Sequence, residues 1–276
     1  MAGSTFLRGA SADALATTAE RLDERLSADS GDAAASVGED LFAVAMLLHR
    51  EAGLRRTATD VSLDPGSRSE LLRRLLDGKV GATSLDVAAG AAGQRWTAPR
   101  DLADALEHLS VVATVRSAPD ADAGRLSDEL FTAAAIVRDE SGLRDALADP
   151  ARSTEDKSAL VDAVFGAQAL PATTTLLKRA LAGTHRTVGV ALEDYQRVAA
   201  DVHSERVATV RVAQELGQAE LDRLQRALTR QYGREVHLNV QVDPAVIGGM
   251  RVEIGDDVID GTVSSRLDEA RRRLAG

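Results

Sequence analysis

Apolar residues recur at helical spacing from about Ala10 to Ala200 and then begin to alternate with polar ones, a pattern that predicts helices followed by a separate α/β piece. Leu15, Leu22 and Leu26 fall on one stripe of a first helix, and Leu41, Phe42, Ala45 and Leu48 on that of a second. Asp64-Pro65-Gly66 and Ala118-Pro119-Asp120 carry turn chemistry and punctuate the helical part. Beyond a boundary near His203 to Arg206, Ala208, Val210 and Val212 alternate with their neighbours as in a strand, and Leu221, Leu224 and Leu228 lie on one face of a helix that stops at Gly233. Val236, Leu238, Val240 and Val242 predict a second strand ended by Asp243-Pro244. Met250, Val252 and Ile254 predict a third, with Gly255-Asp256-Asp257 turning into Val258 and Ile259. Ser265 and Asp268 offer a capping box to a final helix striped by Leu267, Ala270 and Leu274, with Arg271, Arg272 and Arg273 suiting the dipole of its last turn. The expected fold class is mainly α: an N-terminal helical bundle, duplicated, followed by a small α/β C-terminal domain.

The duplication shows when the chain is laid against itself. Asp40-Leu41-Phe42 matches Glu129-Leu130-Phe131, Glu51 to Arg55 matches Glu140 to Arg144, and Asp60 matches Asp149, all at an offset of 89. Ser69, Leu71 and Leu75 find Ser158, Leu160 and Val164 in the same register. Val112-Ala113-Thr114-Val115-Arg116 then recurs as Val207 to Arg211 at an offset of 95, which implies about six residues inserted late in the second copy. Chance similarity among Ala- and Leu-rich helices is the competing account, but amphipathicity alone does not require matching polar residues at fixed spacing. The expected division is residues 1–117 and 118–204 as two helical modules and 205–276 as the α/β domain. Because the second copy has little room for its own first helix, the helix from about Asp101 to Arg116 is expected to close the first module and open the second.

Composition narrows the function. The 276 residues hold 33 Lys and Arg against 43 Asp and Glu, a net charge of -10, so the chain has no summed positive field for nucleic acid phosphates or anionic lipid. Cysteine is absent, which removes disulfides, thiol nucleophiles and thiolate metal sites. No apolar run approaches membrane-spanning length, and residues 1–9 do not read as a signal peptide. With 44% hydrophobic but 3% aromatic residues, the core must be built from Ala, Leu and Val, which suits close helix packing.

Catalytic motifs do not emerge. The chain lacks a P-loop, a dinucleotide fingerprint, a nucleophile elbow and a zinc helix motif, and Gly78-Lys79 has neither the upstream glycine nor the following hydroxyl of a phosphate site. The five histidines, His49, His108, His185, His203 and His237, share no ligand spacing. Asp256, Asp257 and Asp260 could hold a hard cation for metal-assisted hydrolysis, yet turn chemistry explains them more cheaply than an EF-hand whose alternating ligands are missing. The expectation is no catalytic residues, no cofactor and no metal.

The segment from Val246 to Leu267, with its Gly248-Gly249 step, alternating strand, Gly255-Asp256 and Ile259-Asp260-Gly261-Thr262 turn before Arg266-Leu267, closely resembles the C-terminal signature of the delta subunit of F-type ATP synthases, the bacterial counterpart of the mitochondrial oligomycin-sensitivity-conferring protein. The resemblance extends upstream through the strand at Ala208 and the helix at Gln218. Gly93 to Trp96 and Gly183 to Arg186 sit where that family's bundle has a turn before its last helix. Family members usually carry one bundle, and the extended form here resembles the longer actinobacterial type. The resemblance implies a non-catalytic stator subunit at the cytoplasmic face of the cell membrane, one copy per complex. It would link the catalytic head, through N-terminal segments of its alpha subunits, to the peripheral-stalk b subunit. Partner contacts are expected at Leu15 and Leu22 and at Val87 or Leu177 for the head, and at Val258, Ile259, Val263 and Leu267 for the stalk. The rival expectation is a free helical adaptor or regulatory interaction protein.

Overall fold

The computed structural model describes residues 7–26, 31–214, 216–232, 236–243, 249–254 and 257–260. Chain contacts divide it into two compact units, Gly3–Ala200 and a unit that begins at Asp201.

The first unit is helical: α1 (Ala10–Leu26), α2 (Gly31–Arg50), α3 (Ala52–Ala58), α4 (Pro65–Leu76), α5 (Ala82–Gly93), α6 (Pro99–Ser117), α7 (Ala123–Asp139), α8 (Ser141–Ala148), α9 (Thr154–Phe165), α10 (Pro171–Ala182) and α11 (Val188–Arg206), the last running past the division. From α1 to α11 the architecture is periodic. α3 and α8, α4 and α9, and α5 and α10 begin 89 residues apart, and so do α1, α6 and α11, at Ala10, Pro99 and Val188. α6 is therefore the counterpart of α1 looking forward and of α11 looking back.

Burial on α6 follows from this double position. Leu102, Leu106, Leu109 and Ala113 join the core of the first copy with Leu22, Leu41, Leu48, Leu72 and Trp96. Glu107, Ser110 and Thr114 are buried as well and meet α10 and the turn after it. A helix with core on two faces loses its single amphipathic stripe, and buried positions accordingly run nearly all round α6, Glu107 among them. Each leucine so buried contributes about 1.5–3 kcal/mol.

Polar positions shared by the copies make the same bonds. The Asp40 carboxylate accepts from Gly81 N and Ser84 Oγ, each at 2.8 Å, and Glu129 accepts from Leu170 N at 2.8 Å and Thr173 Oγ1 at 2.5 Å. Arg55 donates to the carbonyls of Leu48 and His49, and Arg144 to that of Arg138. The Asp64 side chain caps α4 at Ser67 N, and the Ser153 hydroxyl caps α9 at Asp156 N. Each pair of acceptors or donors is again 89 residues apart, so the repeat preserves hydrogen-bond geometry as well as hydrophobic spacing.

Three sequence expectations need correction. The pentapeptide Val112–Arg116 lies in α6, whereas Val207–Arg211 is strand, so their identity is not a repeat match; no six-residue insertion exists, and the register stays at 89 to the end of α11. Asp64-Pro65-Gly66 is a helix start, with Asp64 at the N-cap and Pro65 in the first turn, where its missing N–H costs nothing. Phe42 is only half-buried, and the Arg179 guanidinium stands 5.4 Å above its ring.

The second unit is a mixed four-stranded sheet in the order β2-β1-β3-β4, formed by β1 (Val207–Val212), β2 (His237–Val242), β3 (Met250–Ile254) and β4 (Asp257–Asp260), with α12 (Gln218–Tyr232) crossing between β1 and β2. β1 pairs parallel with β2 and antiparallel with β3, which pairs antiparallel with β4. Ala208, Val210 and Val212 of the central β1 pack with Val236, Val252, Ile254 and Leu228 of α12. Burial fades along the edge strand β2 until Val242 is exposed. The predicted final helix, with Leu267 and Arg271 to Arg273, lies outside the described residues, as do Val263, Gly233 and Asp256.

Candidate functional site

Of the expected partner contacts, Leu15, Leu22, Val87 and Leu177 are all buried, at 0–5% exposure, by this chain's own helices. Leu15, Leu22 and Val87 belong to the core of the first copy. By contrast Val258 and Ile259, on the edge strand β4, are 53% and 38% exposed. Val263 and Leu267 fall outside the described residues. Of the acidic trio, Asp257 and Asp260 stand at opposite ends of β4.

The fold also assembles a polar junction where α2, α6, α10 and α11 meet. Buried Glu107 of α6 accepts from Thr184 N at 2.9 Å and Thr184 Oγ1 at 2.7 Å. His49 Nε2 lies 3.3 Å from Glu107 and 3.5 Å from Asp104, and His185 Nε2 lies 3.4 Å from Asp194. Burial resists charge on Glu107, but the nearby His49 ring and the hydrogen bonds from Thr184 outweigh it and hold the carboxyl below its ordinary value. Burial pushes Asp104 up despite Arg100 beside it, and the Asp194 hydrogen bond lifts His185. On the other side of α6, Arg179 donates to Ser110 O at 2.7 Å and to Thr114 Oγ1. Burial lowers its pKa to about 10, which still leaves the guanidinium charged at neutral pH. Gly38 of α2 makes room for this contact, since a Cβ there would sit 2.6 Å from Thr114 Oγ1 and 3.0 Å from Arg179 Nη2.

His49, Asp104 and Glu107 could offer three ligand atoms within 4.8 Å of one another to a cation. The second copy carries Arg138, Glu193 and Gln196 at these positions, an arginine in place of the imidazole. Arg100 already pairs with Asp104 at 3.2 Å. The trio is thus better described as a polar cluster in which the His49 ring stands between two carboxylates, one of them already paired. Histidines that look scattered along the chain converge here because the period of 89 brings the turn after α10 against α6, a proximity that ligand spacing does not reveal.

A cleft of about 790 Å³ opens in the second copy among α7, α8, α10 and the start of α11. Phe131, 65% exposed, stands at it, and Arg186, Lys157 and Gln196 also line it. No helix among the described residues is long and apolar enough to cross a membrane.

Together these features define a protein of two units, a duplicated helical scaffold and a small mixed sheet with an exposed apolar edge. The family model for the ATP synthase delta (OSCP) subunit matches residues 112–274, starting inside α6 and so taking in the second copy and the sheet unit. Curated relatives extend the similarity to the first copy. An ATP synthase subunit delta of a Nocardioides species is 55% identical over 98% of this chain and 98% of its own length. Those of Kineococcus radiotolerans and Streptomyces coelicolor are 42% and 41% identical, each over 98% of its own length. A chain of the Toxoplasma gondii mitochondrial ATP synthase hexamer is similar over 56% of this chain at 18% identity, with a TM-score of 0.32, too weak a likeness to bear on the fold. This chain belongs to the ATP synthase delta (OSCP) subunit family.

Proposed function

We propose that the chain is the non-catalytic stator subunit of an F-type ATP synthase, joining the catalytic head to the peripheral stalk as a peripheral part of the membrane complex. The observation that carries this reading is the family match over α6 to the sheet unit. The bundle from α6 to α11 is then the one that grips N-terminal segments of the alpha subunits. Its opening helix is α6, so the role expected for Leu22 of α1 passes to Val111, with Leu177 of α10 in the facing wall. Buried residues such as Val87 and Leu177 hold the helix pair at its spacing, and the partner segment meets the half-exposed side chains around them.

Stalk binding is assigned to the edge of the sheet unit, where the exposed Val258 and Ile259 on β4 support helix or strand docking. Val263 and Leu267, outside the described residues, remain proposed as further stalk contacts. Linking two sites on one chain makes the second engagement intramolecular, which slows dissociation without any bond chemistry and suits a part that must resist torque. The test is titration calorimetry of the whole chain with peptides from the alpha N-terminus and the b C-terminus. Val258→Asp with Ile259→Asp should abolish heat with the b peptide while leaving the alpha peptide and the circular dichroism unchanged. Failure to bind either peptide, or failure to co-purify with synthase subunits from solubilised membranes, would instead favour a free adaptor.

A further inference from the structure

One interior difference between the two copies opens a space. In the first, Trp96 fills the space after α5, 4% exposed, with its indole N–H donating to Ala91 O at 2.8 Å, and Met46 packs against the same core. At the matching positions the second copy has His185 and Ala135, which together with Ala180, the counterpart of Ala91, line the cleft. His185 turns toward Asp194 and Tyr195 instead of filling the slot. The second copy thus keeps the frame of the first but lacks its aromatic plug.

The surroundings of the slot point to what enters it. Arg68 of the first copy is buried and donates to the carbonyls of Gln94 and Gly93, whereas Lys157 at its position has no carboxylate partner among the described residues. Arg186, exposed on the same rim, has none either. At the wall, Gln196 Nε2 is shielded from solvent and has no hydrogen-bond partner among the described residues. Arg138, Arg144, Lys157 and Arg186 line the cleft against Asp145 and Glu193, so on a chain of net charge -10 this is a local positive exception.

We infer that the cleft of the second copy is a docking site for a partner polypeptide that inserts a tryptophan flanked by carboxylates. The indole takes the place Trp96 holds in the first copy, over Ala135 and beside Phe131, the carboxylates meet Lys157 and Arg186, and a backbone carbonyl of the segment accepts from Gln196. An aromatic anchor in a pre-formed pocket with a charged rim is the arrangement that concentrates binding energy at an interface.

The probe is the peptide acetyl-Glu-Glu-Leu-Trp-Glu-Glu-amide, titrated calorimetrically into the whole chain, with the same peptide carrying alanine for tryptophan as control. Binding of the tryptophan peptide only is expected. Plugging the slot with Ala135→Met and His185→Trp should weaken it by at least about tenfold, and so should Lys157→Glu with Arg186→Glu, which leaves the interior untouched. Equal binding of the two peptides, no heat from either, or full binding to the plugged variant would overturn the inference. If the plugged variant loses its circular dichroism signal, the charge-reversed variant decides: unchanged binding there overturns the site. The stator assignment is read out by the alpha and b peptides and does not depend on this result.

Discussion

The two helical copies share a frame and differ in their filling. Asp40 and Glu129 tie their copies together through the same pair of donors, and Arg55 and Arg144 close the same turn. Yet one interior is completed by Trp96 and the other is left open around His185. A duplicated chain keeps the polar bonds because a buried donor or acceptor left unpaired is expensive in either copy. Apolar filling is under no such constraint if another molecule can supply it. The largest effect that tests this contrast is Trp96→Ala, which should cost the first copy about 3–5 kcal/mol as a cavity in a closed core, while His185→Ala should cost about 1 kcal/mol because its space is already open. Calorimetric unfolding of both variants measures the difference, and equal losses would mean that the two interiors are equally packed.

Next in size is the close contact of α2, α6 and α10. Gly38 has no space for a Cβ, whereas its counterpart in the second copy is Ser127, half-buried on α7. Gly38→Val should therefore destabilise by about 1–3 kcal/mol through overpacking against Thr114 and Arg179, and Ser127→Val by a fraction of that. The same calorimetry applies, and a larger loss at Ser127 would show that the second copy is the more tightly packed at this level.

Much of this was open to inspection in the sequence, and the exceptions have physical causes. The stripe of Leu15, Leu22 and Leu26, the alternation of Ala208, Val210 and Val212 and the offset of Asp40 and Glu129 all follow from local periodicity, and all describe the fold correctly. The pentapeptide Val-Ala-Thr-Val-Arg misleads because five residues of mixed β-branched and small type satisfy both periods. At Val112 to Arg116 the neighbour is α2, and at Val207 to Arg211 β2 and β3 flank the chain on both sides, so tertiary partners decide. Phe42 escapes the core because Arg179, from a helix far along the chain, covers its ring. The head-facing choices Leu15, Leu22, Val87 and Leu177 rest on apolar spacing, which marks the face toward a helix's own neighbours as readily as one toward a partner. The cleft, in turn, is visible only by comparing what fills matching positions.

Matched polar ties should give matched losses. Asp40→Ala leaves Gly81 N and Ser84 Oγ without their acceptor, and Glu129→Ala does the same to Leu170 N and Thr173 Oγ1. Each should cost about 1–2 kcal/mol, and the double variant their sum, since the sites share no partner. Denaturant titration of the three variants measures this. A cost at one site more than twice that at the other would mean that the frame, too, has diverged.

The smallest effect separates the copies by pH. The hydrogen bond to Asp194 raises His185 above the ordinary imidazole value against the opposing influence of burial, and Trp96 at the matching position cannot titrate. A raised folded pKa means that the pair stabilises fully below the unfolded value of about 6.5 and loses that contribution as pH rises through the higher folded value. Asp194 has the opposite limb: burial resists its charge, His185 and Arg197 outweigh that, and its lowered pKa makes its share disappear only on acidification. The pair is partly exposed, so the whole effect should stay within about 1 kcal/mol. The melting temperature of the unmodified chain should exceed that of Asp194→Asn most near pH 6, with the gap closing toward pH 9. A gap that stays constant over that range would show that Asp194 acts on the neutral imidazole alone, and that charge plays no part in holding the second copy's open interior.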